Sequence, residues 1–173
     1  MGAIIGRILA TLFLSTAVIA AGVVPAQSAP AHSAPAQSTQ PPAPDIPVLT
    51  GIQTGVHPAF DRIVLGFSGP PPQVSSRFVD ELIQDGSGEI EWLTGAAFAE
   101  VRATPAQAHD DAGHSSHPGP RKFRTRDLAN VMAVAITGDY EAYLTIGVGV
   151  RRQTWVKVFT LTGPTCVVID VGR

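Results

Sequence analysis

Cysteine is almost absent from this chain: Cys166 is the only one in 173 residues, so no intrachain disulfide can form and the fold must stand on its core alone. Charge is scarce too. Asp, Glu, Lys and Arg make up 15% of the residues, below the usual quarter, and the formal net charge is −2. That balance removes the electrostatic case for nucleic acid, whose binders carry a basic excess. The chain has no Gly-x-Ser-x-Gly elbow and no His-Glu-x-x-His motif, so no acyl-transfer nucleophile or zinc-protease centre is legible in it. Turn formers are abundant instead. With 17 glycines and 15 prolines, the composition suits short strands and loops better than long solvated helices.

The first third is not domain material. Arg7 is followed by a nearly unbroken apolar run from Ile8 to Val24, and small residues at Val24-Pro25-Ala26 offer a cleavage site. The expectation is a cleaved signal peptide over residues 1–26. An uncleaved anchor is the alternative, because the run is at the lower length limit for crossing a bilayer. Residues 27–47 then read as a disordered Ala/Pro/Ser/Gln linker. Pro25-Ala26-Gln27-Ser28-Ala29 recurs with small changes at Pro30 and Pro35, and prolines at that density remove backbone donors and favour extended conformers. The linker serves as a spacer or is a remnant tail.

Residues 48–173 read as one all-β domain, a compact β-sandwich of short strands with one long polar loop. Arg62–Ser68 alternates, with Ile63, Leu65 and Phe67 on one face. Further strands are expected at Val48–Val56, Val74–Leu82, Ile90–Leu93, Ala97–Ala103, Val131–Thr137, Tyr140–Val150, Thr154–Leu161 and Cys166–Val171. Turns are expected at Asp85–Gly88 and at Gly138-Asp139, and a helical turn within Phe123–Asn130. The last two strands carry apolar residues on both faces, Val156 and Val158 opposite Trp155, Phe159 and Leu161 in the first of them. Strands covered on both sides imply a sandwich. Its predicted core is Ile63, Leu65, Phe67, Leu144, Ile146, Val156, Val158, Val167 and Ile169.

Thr104–Arg126 is a long interruption without strand character, and long ordered loops are often functional. It holds His109, His114 and His117 beside Asp110 and Asp111, a donor set able to ligate zinc or copper. Solvated loop histidines are the alternative, since Gly113 and Pro118 prevent the helical spacing of strong metal motifs. Just beyond, Arg121, Lys122, Arg124 and Arg126 surround Phe123. Such cations pair with carboxylates or phosphates, and Phe123 offers an apolar face to a sugar ring; a solvated edge is the plainer reading.

Two strings bracket the folded part: Phe60-Asp61-Arg62-Ile63-Val64-Leu65-Gly66-Phe67-Ser68-Gly69, and Val158 to Val171 with Val167-Val168-Ile169-Asp170-Val171 at its end. They resemble the opening and closing strands of AMIN-type domains, most closely the actinobacterial AMIN-like family, and Ala108-His109-Asp110 and Pro118-Gly119-Pro120-Arg121 are similar to that family as well. The resemblance implies a secreted or wall-associated, non-catalytic module that holds a cell-wall polymer (peptidoglycan-like) or an envelope protein, with no cofactor and no membrane span after signal cleavage. Cys166 stands where such closing strands usually carry a basic residue. The candidate ligand-contacting residues are Asp61, Arg62, His109, Asp110, Arg121, Lys122, Phe123 and Arg124, with no catalytic or metal-ligating set. Asp61, Arg62 and Asp170 at strand ends are expected to serve structure more than ligand. Two alternatives stand: a secreted metal-binding protein using the three loop histidines, and a hydrolase built from carboxylates among Asp80, Glu81, Glu89, Glu91, Asp110 and Asp111.

Overall fold

A computed structural model describes residues 45–173. The expected signal peptide and nearly all of the expected linker lie outside the described residues. Alternation in the strands produces two layers. In β2 (Phe60–Ser68), Asp61, Ile63, Leu65 and Phe67 are buried and the residues between them are not. β2 pairs with β1 (Val48–Val56) on one side and β9 (Cys166–Gly172) on the other, and β8 (Val156–Leu161) closes the far edge; all three pairings are antiparallel.

The second sheet runs β3-β4-β7-β6-β5, formed by β3 (Gln73–Val79), β4 (Ala97–Thr104), β5 (Lys122–Arg124), β6 (Val131–Tyr140) and β7 (Tyr143–Val150), again antiparallel throughout. Ile63, Leu65, Val167 and Ile169 from the first sheet meet Ala99, Val101, Leu144, Ile146, Val148 and Val150 from the second in one apolar core. Burying a Val, Leu or Ile side chain is worth about 1.5–3 kcal/mol. The chain is all-β, with no helix among the described residues.

Several sequence expectations are corrected in detail. Gly138-Asp139 is not a turn but lies inside β6, beside a register shift at Ile136/Gly138. The reversal falls at Glu141-Ala142, both with positive φ (49° and 60°), the backbone that a two-residue hairpin needs. Gly138 serves packing instead: a Cβ there would sit 1.7 Å from Asp85 Oδ2. The expected strand Ile90–Leu93 reduces to one bridge, Ile83↔Ile90. In place of a helical turn at Phe123–Asn130 there is β5 and then a bend, so the long interruption does contain strand.

β8 is an edge strand rather than one covered on both faces. Val156 and Val158 are only partly buried, while Trp155 is 51% and Leu161 49% exposed.

The outer faces of the two sheets differ. The β3–β4 connection, Asp80–Ala96, folds over the outside of the five-stranded sheet. Leu82 is buried there, and Thr145 Oγ1 donates to Asp85 Oδ2 at 2.8 Å. Glycine makes room: a Cβ on Gly149 would lie 2.2 Å from the Thr94 carbonyl oxygen, and one on Gly147 2.7 Å from Leu82. On the outside of the four-stranded sheet, a Cβ added at Gly51 or Gly55 would meet nothing within 4 Å among the described residues.

Candidate functional site

Because residues paired across strands share a face, the register writes out the outer face of the four-stranded sheet in rows, within which Val168 and Asp170 of β9 are themselves buried by their neighbours. Gly55, Arg62, Asp170 and Lys157 form one; Gln53, Val64, Val168 and Phe159 the next; Gly51, Gly66, Cys166 and Leu161 the third. At the end of the sheet, Trp155 lies over Gly172, where a Cβ would come 2.6 Å from the indole nitrogen. Phe60 meets Trp155 edge-on at 6.1 Å and stacks on His57 at 3.9 Å.

Arg62 is fixed in the middle of these rings. Its Nε and Nη2 donate to the two Asp170 oxygens at 2.7 and 2.8 Å, the bidentate geometry of the strongest charge-assisted bonds. Those bonds raise the Arg62 pKa above its ordinary value, against the opposing effect of burial. The guanidinium carbon lies 5.1 Å from the Phe60 ring centre and 6.0 Å from that of Phe159, and Lys157 Nζ lies 5.5 Å from Phe159. The result is a face of rings and partly neutralised charge, pre-set in geometry.

Asp61, the next residue along, points the other way. Its carboxylate is 0% exposed and accepts the backbone N–H groups of Ala129, Asn130 and Val131, with Arg173 Nε at 3.2 Å. Burial alone pushes its pKa up. The three backbone donors and Arg173 together outweigh it, leaving the group below the usual carboxylate value. It clamps the bend before β6.

The loop candidates separate into several environments. His109 Nδ1 is 2.8 Å from Asp139 Oδ2, which also faces the Ala108 N–H through Oδ1. Asp110 folds its own loop by accepting the Ala112 and His114 N–H groups, and these bonds, that from His114 foremost, hold its pKa low. His117 is 5% exposed, and its Nδ1 accepts the Gly119 N–H at 2.9 Å. The three histidines do not converge, and among the described residues no group of three or more His, Cys, Asp or Glu is placed to hold a metal ion. Metal binding through that trio therefore does not fit this arrangement.

The basic run divides as well. Lys122 Nζ reaches Glu91 and the Trp92 carbonyl, and Arg121 leans on the Ile136 carbonyl. Arg124 and Arg126 are exposed, and neither side chain has a hydrogen-bond or ion-pair partner among the described residues. Phe123 packs against the core and lines a trough along β1. Arg62 pairs across the sheet with Gly55, which itself lines the hollow beside Arg124 and Arg126.

Trp155, Lys157 and Phe159 were missed as site residues because large apolar side chains on both faces of their segment read as double burial. The available signal was Lys157, a charge set between two aromatics on one face of the strand.

The AMIN-like domain family model matches residues 47–173, so the chain belongs to the AMIN-like family. Such domains are cell-envelope modules, generally non-catalytic, and membership suggests a wall-associated role. No curated protein and no solved structure matches the chain.

Proposed function

We propose that this domain is a non-catalytic, extracytoplasmic module that holds a peptidoglycan-like wall polymer on the outer face of its four-stranded sheet. The observation that carries the reading is the array of Trp155, Phe60 and Phe159 around the Arg62–Asp170 pair, with Trp155 51% exposed. Aromatic rings present flat apolar area to the C–H faces of sugars, and they lose little side-chain freedom in doing so. Lys157 and Arg62 add donors for hydroxyl or carboxylate oxygens, with orientation set before binding. The row of Arg62, Asp170 and Lys157 supplies register along a repeating chain.

Retention on purified cell wall tests the proposal. Trp155→Ala with Phe159→Ala is expected to weaken retention at least tenfold while the far-ultraviolet spectrum and cooperative unfolding persist. Retention equal to the unmodified protein in a folded double variant would remove this face as the polymer site.

A further inference from the structure

We propose a second binding surface, for a different kind of partner: the trough between β1 and β5 receives an extended, acidic peptide segment of another protein, which adds to the open edge of β1. Four observations carry this, and none depends on the wall-polymer reading.

First, β1 is an edge strand whose outer side is only partly capped. Gln107 forms a parallel bridge to Val48, the Leu49 N–H donates to the Gln107 carbonyl at 2.8 Å, and the Gln107 N–H donates to the Pro47 carbonyl at 3.0 Å. Ser116 Oγ then takes the Leu49 carbonyl at 2.6 Å. Among the described residues, no further bridge or hydrogen bond reaches that edge from Thr50 to Val56. The fold itself pairs this edge with a single loop residue, Gln107, then leaves the rest open. An open edge of backbone donors and acceptors is a template for strand addition.

Second, the open part faces a trough shaped for a chain. A hollow of about 620 Å³ lies between Thr50–Gln53 and His117–Pro120. A second of about 480 Å³ continues it between Thr54–Val56 and Arg124–Leu128, and Phe123 lines both. At about 3.3 Å per residue, this stretch of β1 matches a peptide of six or seven residues.

Third, the charge at one end selects the partner. Arg124 and Arg126 line the second hollow with side chains that have no partner among the described residues, beside the carboxylate of Asp127. The net positive character fits an Asp or Glu side chain, which arginine grips in bidentate fashion.

Fourth, His117, which lines the first hollow, carries an unmet donor. Its Nδ1 accepts a hydrogen bond, so the ring proton lies on Nε2, and that atom is buried with no partner. It is the one such side-chain atom among the described residues. Buried polar groups are nearly always satisfied.

The test is selection of random displayed heptapeptides on the purified protein, followed by synthesis of the enriched sequence. The proposal expects peptides enriched in Asp or Glu that bind at least tenfold more weakly to the Arg124→Glu/Arg126→Glu variant, and that lose binding when alternate backbone nitrogens are methylated. Bound peptide should slow amide exchange within residues 50–56. The Trp155→Ala/Phe159→Ala protein should bind the peptide unchanged, so failure here and failure of the wall reading are separately visible. Four results would each overturn the proposal: no enrichment over a bare surface, peptides lacking acidic residues, equal binding to the charge-reversed variant, or protection elsewhere. Pairing of β1 with a second copy, seen as a dimer that the peptide does not dissociate, would do so as well.

Discussion

The outer faces of the two sheets have similar backbones and opposite fates. On the five-stranded sheet, the outward positions of β7 are Thr145, Gly147 and Gly149, small enough for Asp80–Ala96 to lie on top; Leu82 and Thr94 occupy the space those residues leave. On the four-stranded sheet, the outward positions mix Gly51, Gly55 and Gly66 with Arg62, Asp170, Lys157 and Phe159, and a Cβ added at Gly51 or Gly55 meets nothing within 4 Å. Small residues permit a covering segment without requiring one. The rings and paired ions of the second face are left for a partner to meet.

The sharpest way to break this comparison is to remove the anchor of the covered face. Leu82→Ala deletes a fully buried side chain and should cost about 2–5 kcal/mol in a urea titration. A loss below 0.5 kcal/mol would mean that the covering segment is not a packed layer.

Next comes the clamp beneath the bare face. Asp61→Asn removes the charge that three backbone donors address, and a stranded buried donor costs about 1–3 kcal/mol. The folded-state pKa lies below the ordinary 3.8, so the stabilisation is present above that value and is lost as pH falls through the lowered one. Urea midpoints of the unmodified protein should therefore fall steeply below about pH 3.8, and more shallowly in Asp61→Asn. Parallel pH profiles would show that Asp61 is not linked to folding.

Glycine substitutions compare the faces directly. Gly149→Ala drives a Cβ toward a carbonyl oxygen and should cost roughly 1–3 kcal/mol as overpacking. Gly55→Ala enters space with nothing within 4 Å and should shift stability by no more than about 0.5 kcal/mol. Equal losses in the two variants would mean that the faces are equally packed.

The smallest effect belongs to Leu161→Ser, at the half-exposed end of the bare face. Its thermal midpoint should move by under about 2 °C, the scale of a surface change. A larger drop would reveal that something covers this residue.

Much of the sandwich was legible before any coordinates. The alternation of Ile63, Leu65 and Phe67, and of Leu144, Ile146, Val148 and Val150, is a local property, since a strand's side chains alternate whatever it pairs with. The family likeness was carried by the same short strings. Asp61 was legible as a residue that satisfies loop backbone, though not which amides it would take, because Ala129–Val131 lie far away in sequence.

What the sequence alone determined was therefore the class of fold, its principal strands, and the inward set of residues that form its core. The tertiary structure decided which faces are closed. The large side chains of Thr154–Leu161 have the same alternation whether a sheet covers one side or both, so only the edge position of β8 exposes Trp155 and Leu161. It also decided that Asp61 and Arg62, adjacent in the chain, act on opposite sides of the sheet, and that Phe123 joins an open strand edge rather than a helical turn. Periodicity specifies two faces for every strand. What lies over each face depends on the order in which the strands pair, and that order is a property of the whole chain.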